Sequence, residues 1–469
     1  MQKNKLLLLF PDGVGIRNYL YSRVFDDADA ELVLMHNFSP DTITYLRQLK
    51  DFSQEVSIPD YTESAKERFL RELICLCRLR YNARMAQNPE ILYNWNTKHK
   101  GFSKRLFYKA IERLAPFYRS YDSILKLETA YQKALRKNPF YAQAKILLEQ
   151  IKPDRVFCLH QRGLKMPTIF AAAQDLGIPS ATVIYSWDNL PKARMALLAD
   201  RYLVWSTHMK NEIQTFYPEI PENQVQVTGT PQFEFYQYPE YVMDRNEFFA
   251  QYQLDPDKKI ICFSGDDETT SPDDAKYLED LAEAVADSEL KQQYQILVRR
   301  CPVDFSGRYQ SIIEKHGDLL KEAPPLWNFG RSAGWSEVYP LYEDVRLLVS
   351  TVYYCDMVVN LGSTMAFDFS MFDKPCLFLN YNQPNRKDPN WSVEKVYRFQ
   401  HFRTMPDQAV FWLNGKEEIV QQIRTAAAKG MDPDMKRWSQ VILEDHQKAS
   451  QNIKRQINPT QADPVLENK

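Results

Sequence analysis

The segment NLGSTMAFD at residues 360–368 joins a strand-like run, MVVN, to a helical pattern. Gly362 permits a tight turn there. Ser363 and Thr364 bring hydroxyls and backbone amides to the start of the helix, where the helix dipole favours an anion such as a phosphate. Asp368 follows one helical turn later, in a position to accept hydrogen bonds from ribose hydroxyls. The alternative is a capped helix with a solvated aspartate.

Two other loops in the same half follow strand-like runs. The run 295–298 ends in Arg299 and Arg300, whose forked, permanently charged guanidiniums suit a diphosphate. Because side chains alternate along a strand, we expect one arginine to reach the ligand and the other to form a structural ion pair. Gly265, in the loop SGDD, permits close approach of the backbone to a ligand, although a simple turn explains it about as well.

Three residues in the first half are candidate proton acceptors. Asp12 follows the first apolar run, His160 ends RVFCLH, and Asp188 follows TVIYSW. In an open parallel sheet, ligands bind beyond the carboxyl ends of the strands, where all three residues are expected. Each is a candidate general base, and each is also explained as a turn former or a structural hydrogen-bond partner.

Metal sites and common nucleotide-binding motifs have no clear counterpart in this sequence. Asp-x-Asp strings occur at residues 27–29 and 255–257, where both are interpreted as turns, so we expect no metal. The patterns G-x-x-x-x-G-K-[ST], G-x-G-x-x-G and H-E-x-x-H do not occur. The seven scattered cysteines contain no C-x-x-C pair, which favours a reducing cytoplasm.

Alternating strands and helices must position these residues. Predicted strands lie at 5–10, 31–36, 155–159, 180–186, 201–205 and 225–228, and a second set lies at 259–264, 295–300, 357–360 and 376–379. Helical patterns separate several of them, which predicts parallel sheets covered by helices. We therefore expect an α/β protein with two Rossmann-like domains facing a cleft. The predicted domains are 1–240 and 241–433, followed by a closing helix and a polar tail over 434–469.

A basic helical insertion interrupts the first domain at about residues 61–150. Residues 61–137 contain 17 lysines and arginines against seven acidic residues, a net charge of +10, which leaves −12 for the rest of the chain. This segment is either an ordinary solvated helical face or a surface for anionic acceptors or phospholipid headgroups. We expect no nucleic-acid partner, because the acidic remainder opposes one and no recognition motif occurs.

Length and composition exclude several protein classes. The chain has 469 residues, a net charge of −2, 61 aromatic residues and only 14 glycines, so it is neither disordered nor collagen-like. No apolar run approaches the roughly 20 residues that cross a bilayer. The apolar run before Pro11 is too short for a signal peptide, and we expect a buried strand there.

The second half resembles the donor-binding half of GT-B glycosyltransferases, particularly bacterial surface-carbohydrate enzymes related to CDP-glycerol transferases and nucleotide-sugar 2-epimerases. The resemblance is carried by LVRRCP and by LYEDVRLLVSTVYYCDMVVNLGSTMAFDFSMFDKPCLFLN. In the first half, HQRGLKMPTIFAAAQDLGIPSATVIYSWDNL and VTGTPQFEFY are similar to the same enzymes. The resemblance as a whole covers about residues 150–240 and 255–385. Relatives often have R-x-H-P where this chain has Arg299-Arg300-Cys301-Pro302, and the first loop lacks a Gly-Gly-His pattern.

The resemblance implies a metal-independent glycosyltransferase in surface polysaccharide or glycan biosynthesis. It implies a nucleotide sugar as donor substrate, no separate cofactor, and a glycan or lipid-linked acceptor. The turn at Gly362, Ser363 and Thr364 would hold the diphosphate, and Asp368 the ribose. The alternatives are a nucleotide-sugar 2-epimerase, a CDP-glycerol-type polyol-phosphate transferase, or a non-catalytic nucleotide-binding module. A cytoplasmic location is expected, with peripheral contact at the inner face of the membrane through residues 61–137.

Overall fold

The computed structural model describes residues 4–27, 29–329 and 338–458, which form two compact units. The first unit contains the described residues 4–27, 29–232, Phe329, 338–339 and 442–458, and the second contains 233–328 and 340–441. The chain thus changes unit after residues 232, 328, 339 and 441, whereas the sequence suggested two boundaries, at 240 and 433. Within the described ranges, no helix combines the length and apolar character that a membrane crossing requires.

The strands and helices alternate along both units. The strands are β1 Asn4–Phe10, β2 Ala30–His36, β3 Gln54–Ser57, β4 Arg155–Cys158, β5 Ser180–Val183, β6 Arg201–Val204, β7 Val225–Val227, β8 Lys259–Ser264, β9 Tyr294–Arg299, β10 Leu320–Glu322, β11 Trp327–Asn328, β12 Tyr339–Pro340, β13 Met357–Asn360, β14 Cys376–Leu379 and β15 Phe411–Leu413. The helices are α1 Pro40–Arg47, α2 Ala65–Met85, α3 Phe102–Leu114, α4 Tyr121–Leu135, α5 Pro139–Ile151, α6 Met166–Asp175, α7 Thr207–Phe216, α8 Arg245–Gln251, α9 Asp274–Ala286, α10 Gln310–Lys315, α11 Tyr342–Tyr354, α12 Met365–Ser370, α13 Val393–Tyr397, α14 Ile419–Lys429, α15 Pro433–Ile442 and α16 Ala449–Ile457.

The first unit is built on a parallel sheet of seven described strands in the order β3-β2-β1-β4-β5-β6-β7. Leu6 to Phe10 of β1 are all buried, as expected for a central strand covered on both faces. β1 pairs with β4 in the register Leu9 to Cys158, so the residues that follow these two strands leave the sheet side by side. This register brings the loop containing Asp12 to the residue His160.

The predicted helical insertion is confirmed and consists of α2 to α5, between β3 and β4. Ser64 and Glu67 form a capping box at the start of α2. The insertion has a core of its own, which includes Leu73, Leu79 and Ile111. The buried Arg78 of α2 binds Glu128 within the insertion and Glu219 after α7, and this ion pair joins the insertion to the sheet-covering helices.

The second unit is built on a parallel sheet of six described strands in the order β10-β9-β8-β13-β14-β15. β8 is a central strand that pairs with β9 on one side and β13 on the other. The loops after these three strands contain Gly265, Arg300 and Gly362. The two parallel sheets predicted from the alternation of strands and helices are confirmed. The strands that the sequence pattern did not predict are short, for example β3, β10 and β15.

The single closing helix predicted within residues 434–469 is wrong. The chain forms α15, then a break at Asp445 with a left-handed φ of 53°, and then α16. Trp438 of α15 packs against Phe367 in the second unit, whereas Arg155 and Arg201 of the first unit donate hydrogen bonds to the carbonyl of Gln456 in α16. The break between α15 and α16 is explained by their packing, because α15 packs in the second unit and α16 packs in the first. The polar tail predicted at the C-terminus falls mostly on residues 459–469, which lie outside the described residues.

Candidate active site

Asp12 and His160, two of the three candidate proton acceptors, are in direct contact. Asp12 Oδ2 lies 2.6 Å from His160 Nδ1, and Asp12 Oδ1 accepts a hydrogen bond from the amide of Val14. With Asp12 ionised and the imidazole neutral, the carboxylate can only accept, so Nδ1 carries the shared proton and Nε2 keeps its lone pair available. Within the described ranges, no residue forms a hydrogen bond with Nε2. This arrangement is that of an imidazole base oriented by a carboxylate.

Neighbouring loops hold this pair in place. Asn37, which follows β2, donates a hydrogen bond to the carbonyl of Pro11. Lys165 in turn donates to Asn37 Oδ1 at 3.1 Å. A Cβ atom on Gly163 would lie 2.9 Å from the ring of Pro11, so the loops after β1 and β4 pack without room for a side chain. The position of Asp12 is therefore fixed by contacts among the loops that follow β1, β2 and β4.

Asp188, the third candidate, has different partners. Its carboxylate accepts hydrogen bonds from Ser186 and Asn189 and forms an ion pair with Lys192. Lys192 lies in the 3-10 segment Leu190–Lys192 that follows the β5 loop. The observed contacts are those of a turn-stabilising aspartate, one of the two interpretations that the sequence allowed.

The turn after β13 has the conformation that its glycine predicts. Gly362 has a φ of 67°, a left-handed backbone that disfavours other residues. Asn360 Oδ1 accepts from the amide of Ser363, and Ser363 Oγ accepts from the amide of Met365. The amide of Thr364 donates to no group in the described part of the chain. A donor thus remains available at the turn predicted to bind a diphosphate.

Aromatic side chains that the sequence analysis missed surround this turn. A Cβ atom on Gly362 would lie 2.8 Å from the ring of Phe402 and 3.3 Å from that of Tyr397. These residues lie beyond β14, in α13 and in the 3-10 segment that follows it. Tyr397 and Phe402 belong to no recognisable sequence motif, so only the fold shows that they contact the turn at Gly362.

Asp368 lies in the interior of the second unit, where its side chain is 4% exposed. Its Oδ1 accepts a hydrogen bond of 2.7 Å from the hydroxyl of Tyr236. Tyr236 also packs edge-on against Phe372. Asp368 therefore positions Tyr236, and its contact with a ribose stays a prediction.

The two arginines after β9 differ in environment, as strand alternation predicts. Arg299 is buried, and its Nη2 lies 3.0 Å from both carboxylate oxygens of Asp344. Asp344 also accepts from the amide of Leu326 and from Trp327 Nε1. Arg300 is more exposed and donates to Glu322 and to the carbonyl of Asp304. Arg299 is thus the structural ion pair, and Arg300 is the better candidate for ligand contact.

Gly265 is covered by a side chain of its own unit. A Cβ atom at this position would lie 2.5 Å from the hydroxyl of Tyr309. That hydroxyl donates to Asp274, which also accepts from the amide of Asp266. Burial, followed by the mutual repulsion of the two carboxylates, raises the pKa of Asp266, and burial raises that of Asp274. Packing against Tyr309 alone explains the glycine.

Glu212 of α7 is a buried carboxyl group that the sequence analysis did not single out. Its side chain is 6% exposed, and its Oε2 has no hydrogen-bond partner among the described residues. Burial, with a smaller contribution from the charge of Asp188, raises the pKa of Glu212 to about 8. The folded protein therefore holds a proton here at neutral pH.

Replacing Glu212 with glutamine is expected to remove a pH-dependent loss of stability. An unfolded glutamate ionises near pH 4.3, so between about pH 4.3 and 8 only the folded state holds the proton, and stability falls by up to about 1.4 kcal/mol per pH unit. Calorimetric melting should give similar melting temperatures for Glu212→Gln and the wild type at pH 5, and a higher one for the variant at pH 8.5. Glu222→Gln, at an exposed position, should follow the wild type. Parallel profiles for Glu212→Gln and the wild type would contradict this assignment.

Within the described residues, no group of three or more His, Cys, Asp or Glu side chains is arranged to hold a metal ion. No protein-family model matches the chain, and no curated protein matches it significantly.

Solved structures align over nearly the whole chain. A UDP-GlcNAc 2-epimerase from Methanocaldococcus jannaschii has a TM-score of 0.51 at 12% identity and covers 96% of this chain and 99% of its own. A putative UDP-N-acetylglucosamine 2-epimerase from Listeria monocytogenes has a TM-score of 0.52 at 9% identity, with 98% of each chain covered. At such low identity the likeness shows the fold alone. The chain therefore shares the fold of these two structures. This is the GT-B fold, which consists of two Rossmann-like domains.

Proposed function

We propose that the protein is a metal-independent glycosyltransferase that moves a sugar from a nucleotide-sugar donor to an acceptor hydroxyl, in surface polysaccharide or glycan biosynthesis. The observation that carries the proposal is the 2.6 Å contact between Asp12 and His160, which leaves His160 Nε2 available as a base. The donor-site part rests on the turn at Gly362 with its available Thr364 amide. The fold is one that the two epimerase structures use for nucleotide sugars, according to their names.

In the proposed reaction, His160 Nε2 removes the proton of the acceptor hydroxyl as that oxygen attacks the anomeric carbon of the donor. The carboxylate of Asp12 stabilises the imidazolium that forms. The bond between the anomeric carbon and the diphosphate breaks, and the nucleoside diphosphate departs with the bonding electrons. In this proposal the amide of Thr364 and the guanidinium of Arg300 stabilise that negative charge.

A nucleotide-sugar 2-epimerase is the principal alternative, because both structures named above are called UDP-GlcNAc 2-epimerases. An epimerase needs acids and bases around one sugar carbon, whereas the proposed transfer needs only the base that His160 supplies. In a polyol-phosphate transferase, the acceptor would attack a phosphorus of the CDP-linked donor, and CMP would leave. The product therefore distinguishes the three reactions: a nucleoside diphosphate, an isomeric nucleotide sugar or a nucleoside monophosphate.

The donor site is tested by titrating the protein with UDP, GDP, CDP, TDP and CMP. We expect at least one nucleoside diphosphate to bind, and Gly362→Ala to weaken that binding at least about 10-fold, because the new Cβ atom would displace Phe402 and strain the turn. Gly430→Ala is the matched control: Gly430 also has a positive φ, but nothing lies near its Cβ position. No binding of any nucleotide, or equal losses in both variants, would refute the donor site.

We further propose that the insertion contacts an anionic membrane surface through α3 and the turn that follows it. Phe102 and Phe117 are 82% and 79% exposed, and Leu106 lies between them on the exposed side of the helix. The same stretch of chain also carries exposed basic residues, namely Lys98, Lys100, Lys104, Arg105, Lys109, Arg113 and Arg119. Apolar side chains among basic ones are typical of helices that lie in the interface of anionic bilayers.

Vesicle sedimentation tests this surface. The protein should bind vesicles containing phosphatidylglycerol more strongly than neutral ones, and salt should weaken the binding because exposed charges are screened over about 10 Å at 0.1 M. Replacing Phe102, Leu106 and Phe117 together with serine should reduce binding by at least about 10-fold. The control replaces Ile146 and Phe305, which are exposed apolar residues elsewhere, with serine. If equal fractions of the protein sedimented with neutral and with anionic vesicles, the proposed membrane contact would be contradicted.

A further inference from the structure

The first unit contains a cavity of about 470 Å³ between the helical insertion and the sheet. Helices α2 and α4 form one side, and the loops at residues 161–164 and 193–198 form the other. Its volume is within the range of about 300–1,000 Å³ that is typical of small-molecule sites. Neither Asp12 nor His160 lines it, and neither does any residue of the predicted donor site.

Tyr131 of α4 places an unpartnered hydroxyl at this cavity. Its side chain is 2% exposed, and its oxygen forms no hydrogen bond with any described residue. A buried hydroxyl without a partner costs about 1–3 kcal/mol, so such groups are normally satisfied by protein, water or ligand. Tyr131 lines the cavity, and a bound polar group there would supply the missing partner.

Two arginines in the opposite loops give the cavity a positive edge. Arg162 is exposed and forms no ion pair or hydrogen bond with the described residues. Arg194 contacts Glu72 only at 3.2 and 3.3 Å, and Glu72 already binds Arg71 at 2.7 Å. Although part of its side chain is exposed, partial burial lowers the pKa of Arg162, whereas the charge of Asp188 raises it and that of Arg194 lowers it. An oxyanion bound by both guanidiniums would relieve the repulsion between them.

The acidic residues of the cavity do not neutralise Arg162. Glu128 and Glu219 both bind Arg78, which lies on the same wall and is itself buried. The guanidinium of Arg162 therefore remains available to a ligand.

The rest of the lining is apolar. Ile74, Pro167 and Leu197 lie along the walls. Leu164 and Leu198 also line the cavity and are exposed large hydrophobic side chains, so apolar surface continues from the interior to the solvent. A ligand with only polar groups would leave most of this surface without contacts.

We propose that this cavity binds an amphiphilic anion, in which one carboxylate or phosphate monoester is attached to an apolar chain or ring. The oxyanion lies against Arg162 and Arg194, the Tyr131 hydroxyl forms a hydrogen bond with the ligand, and the apolar part contacts Ile74 and Leu197 and emerges past Leu164 and Leu198. The site is separate from the proposed donor site, and its occupation does not depend on nucleotide binding.

Calorimetric titration of the full chain tests the proposal with four probes: dodecyl phosphate, dodecanoate, inorganic phosphate and the uncharged detergent dodecyl maltoside, all below their micelle concentrations. At least one charged amphiphile should bind with one-to-one stoichiometry. Inorganic phosphate and the maltoside should each bind at least about 100-fold more weakly, because each lacks one of the two complementary parts. The ratio between dodecyl phosphate and dodecanoate identifies the preferred oxyanion.

Variants then locate the bound probe. Arg162→Gln should raise the dissociation constant of the charged amphiphile by at least about 10-fold, and Tyr131→Phe by about 5-fold. Tyr61→Phe is the matched control for Tyr131→Phe, because its hydroxyl is also buried and unpartnered but does not line the cavity. Lys126→Gln, an exposed cation on α4, is the control for Arg162→Gln. No binding of either charged amphiphile, or unchanged binding by Arg162→Gln, would overturn the proposal.

Discussion

Replacing His160 with alanine is expected to lower kcat for sugar transfer by about 10²- to 10⁴-fold, because the acceptor hydroxyl would lose its general base. Nucleotide affinity should stay within about 2-fold of the wild type, since the donor-site residues belong to the second unit. Asp12→Asn should also lower kcat, because an amide can no longer hold the Nδ1 proton by charge and can favour the wrong tautomer. The measurement is a steady-state assay of nucleoside diphosphate release.

Asp188→Asn provides the comparison that separates the candidates. Because Asp188 is held by Ser186, Asn189 and Lys192, its replacement should affect kcat much less than that of His160. Full activity of His160→Ala together with inactive Asp188→Asn would transfer the role of the base to Asp188 and contradict the assignment made here.

Replacing Arg299 with methionine is expected to destabilise the second unit by about 3–5 kcal/mol, because it would leave the charge of Asp344 buried without its cation. Burial opposes the charge of Arg299, but the carboxylate of Asp344 outweighs that cost and raises the pKa of the guanidinium. For a unit of this size, such a loss corresponds to a fall of about 6–20 °C in melting temperature. Differential scanning calorimetry should show it in the transition of the second unit.

Arg300→Gln is the matched control, one position further along the chain. Its ion pair with Glu322 is partly exposed, so its loss should cost about 1 kcal/mol or less. The same variant should weaken nucleoside diphosphate binding if Arg300 is the arginine that reaches the ligand. A larger loss of stability in Arg300→Gln than in Arg299→Met would reverse the two roles.

Most of the fold follows from local sequence patterns. The runs LLLLF and MVVN are buried strands because a parallel sheet covered on both faces needs continuous apolar residues. The short strands β3 and β15 were missed, since QEVS and FWL are too brief to show a pattern. The break between α15 and α16 was also missed, because it depends on which unit each helix packs against and not on helix propensity.

The candidate site was predictable in its residues but not in their pairing. Strand ends pointed to Asp12, His160 and Asp188 with equal weight, and only the register of β1 and β4 shows that the first two meet. In the same way, alternation predicted that Arg299 and Arg300 differ, but the partner Asp344 lies 45 residues away and carries no local signal. Lys165, Tyr397 and Phe402 reach the loops through tertiary packing alone, as does Tyr309 at Gly265.

Sugar transfer with His160 as the base is tested most simply by identifying, with phosphorus NMR, the product made from a panel of nucleotide sugars with water as the slow acceptor. We expect the wild-type protein to release a nucleoside diphosphate, and His160→Ala to lose this release under conditions where it still binds the nucleotide. Formation of an isomeric nucleotide sugar, release of a nucleoside monophosphate, or unchanged diphosphate release by His160→Ala would contradict it.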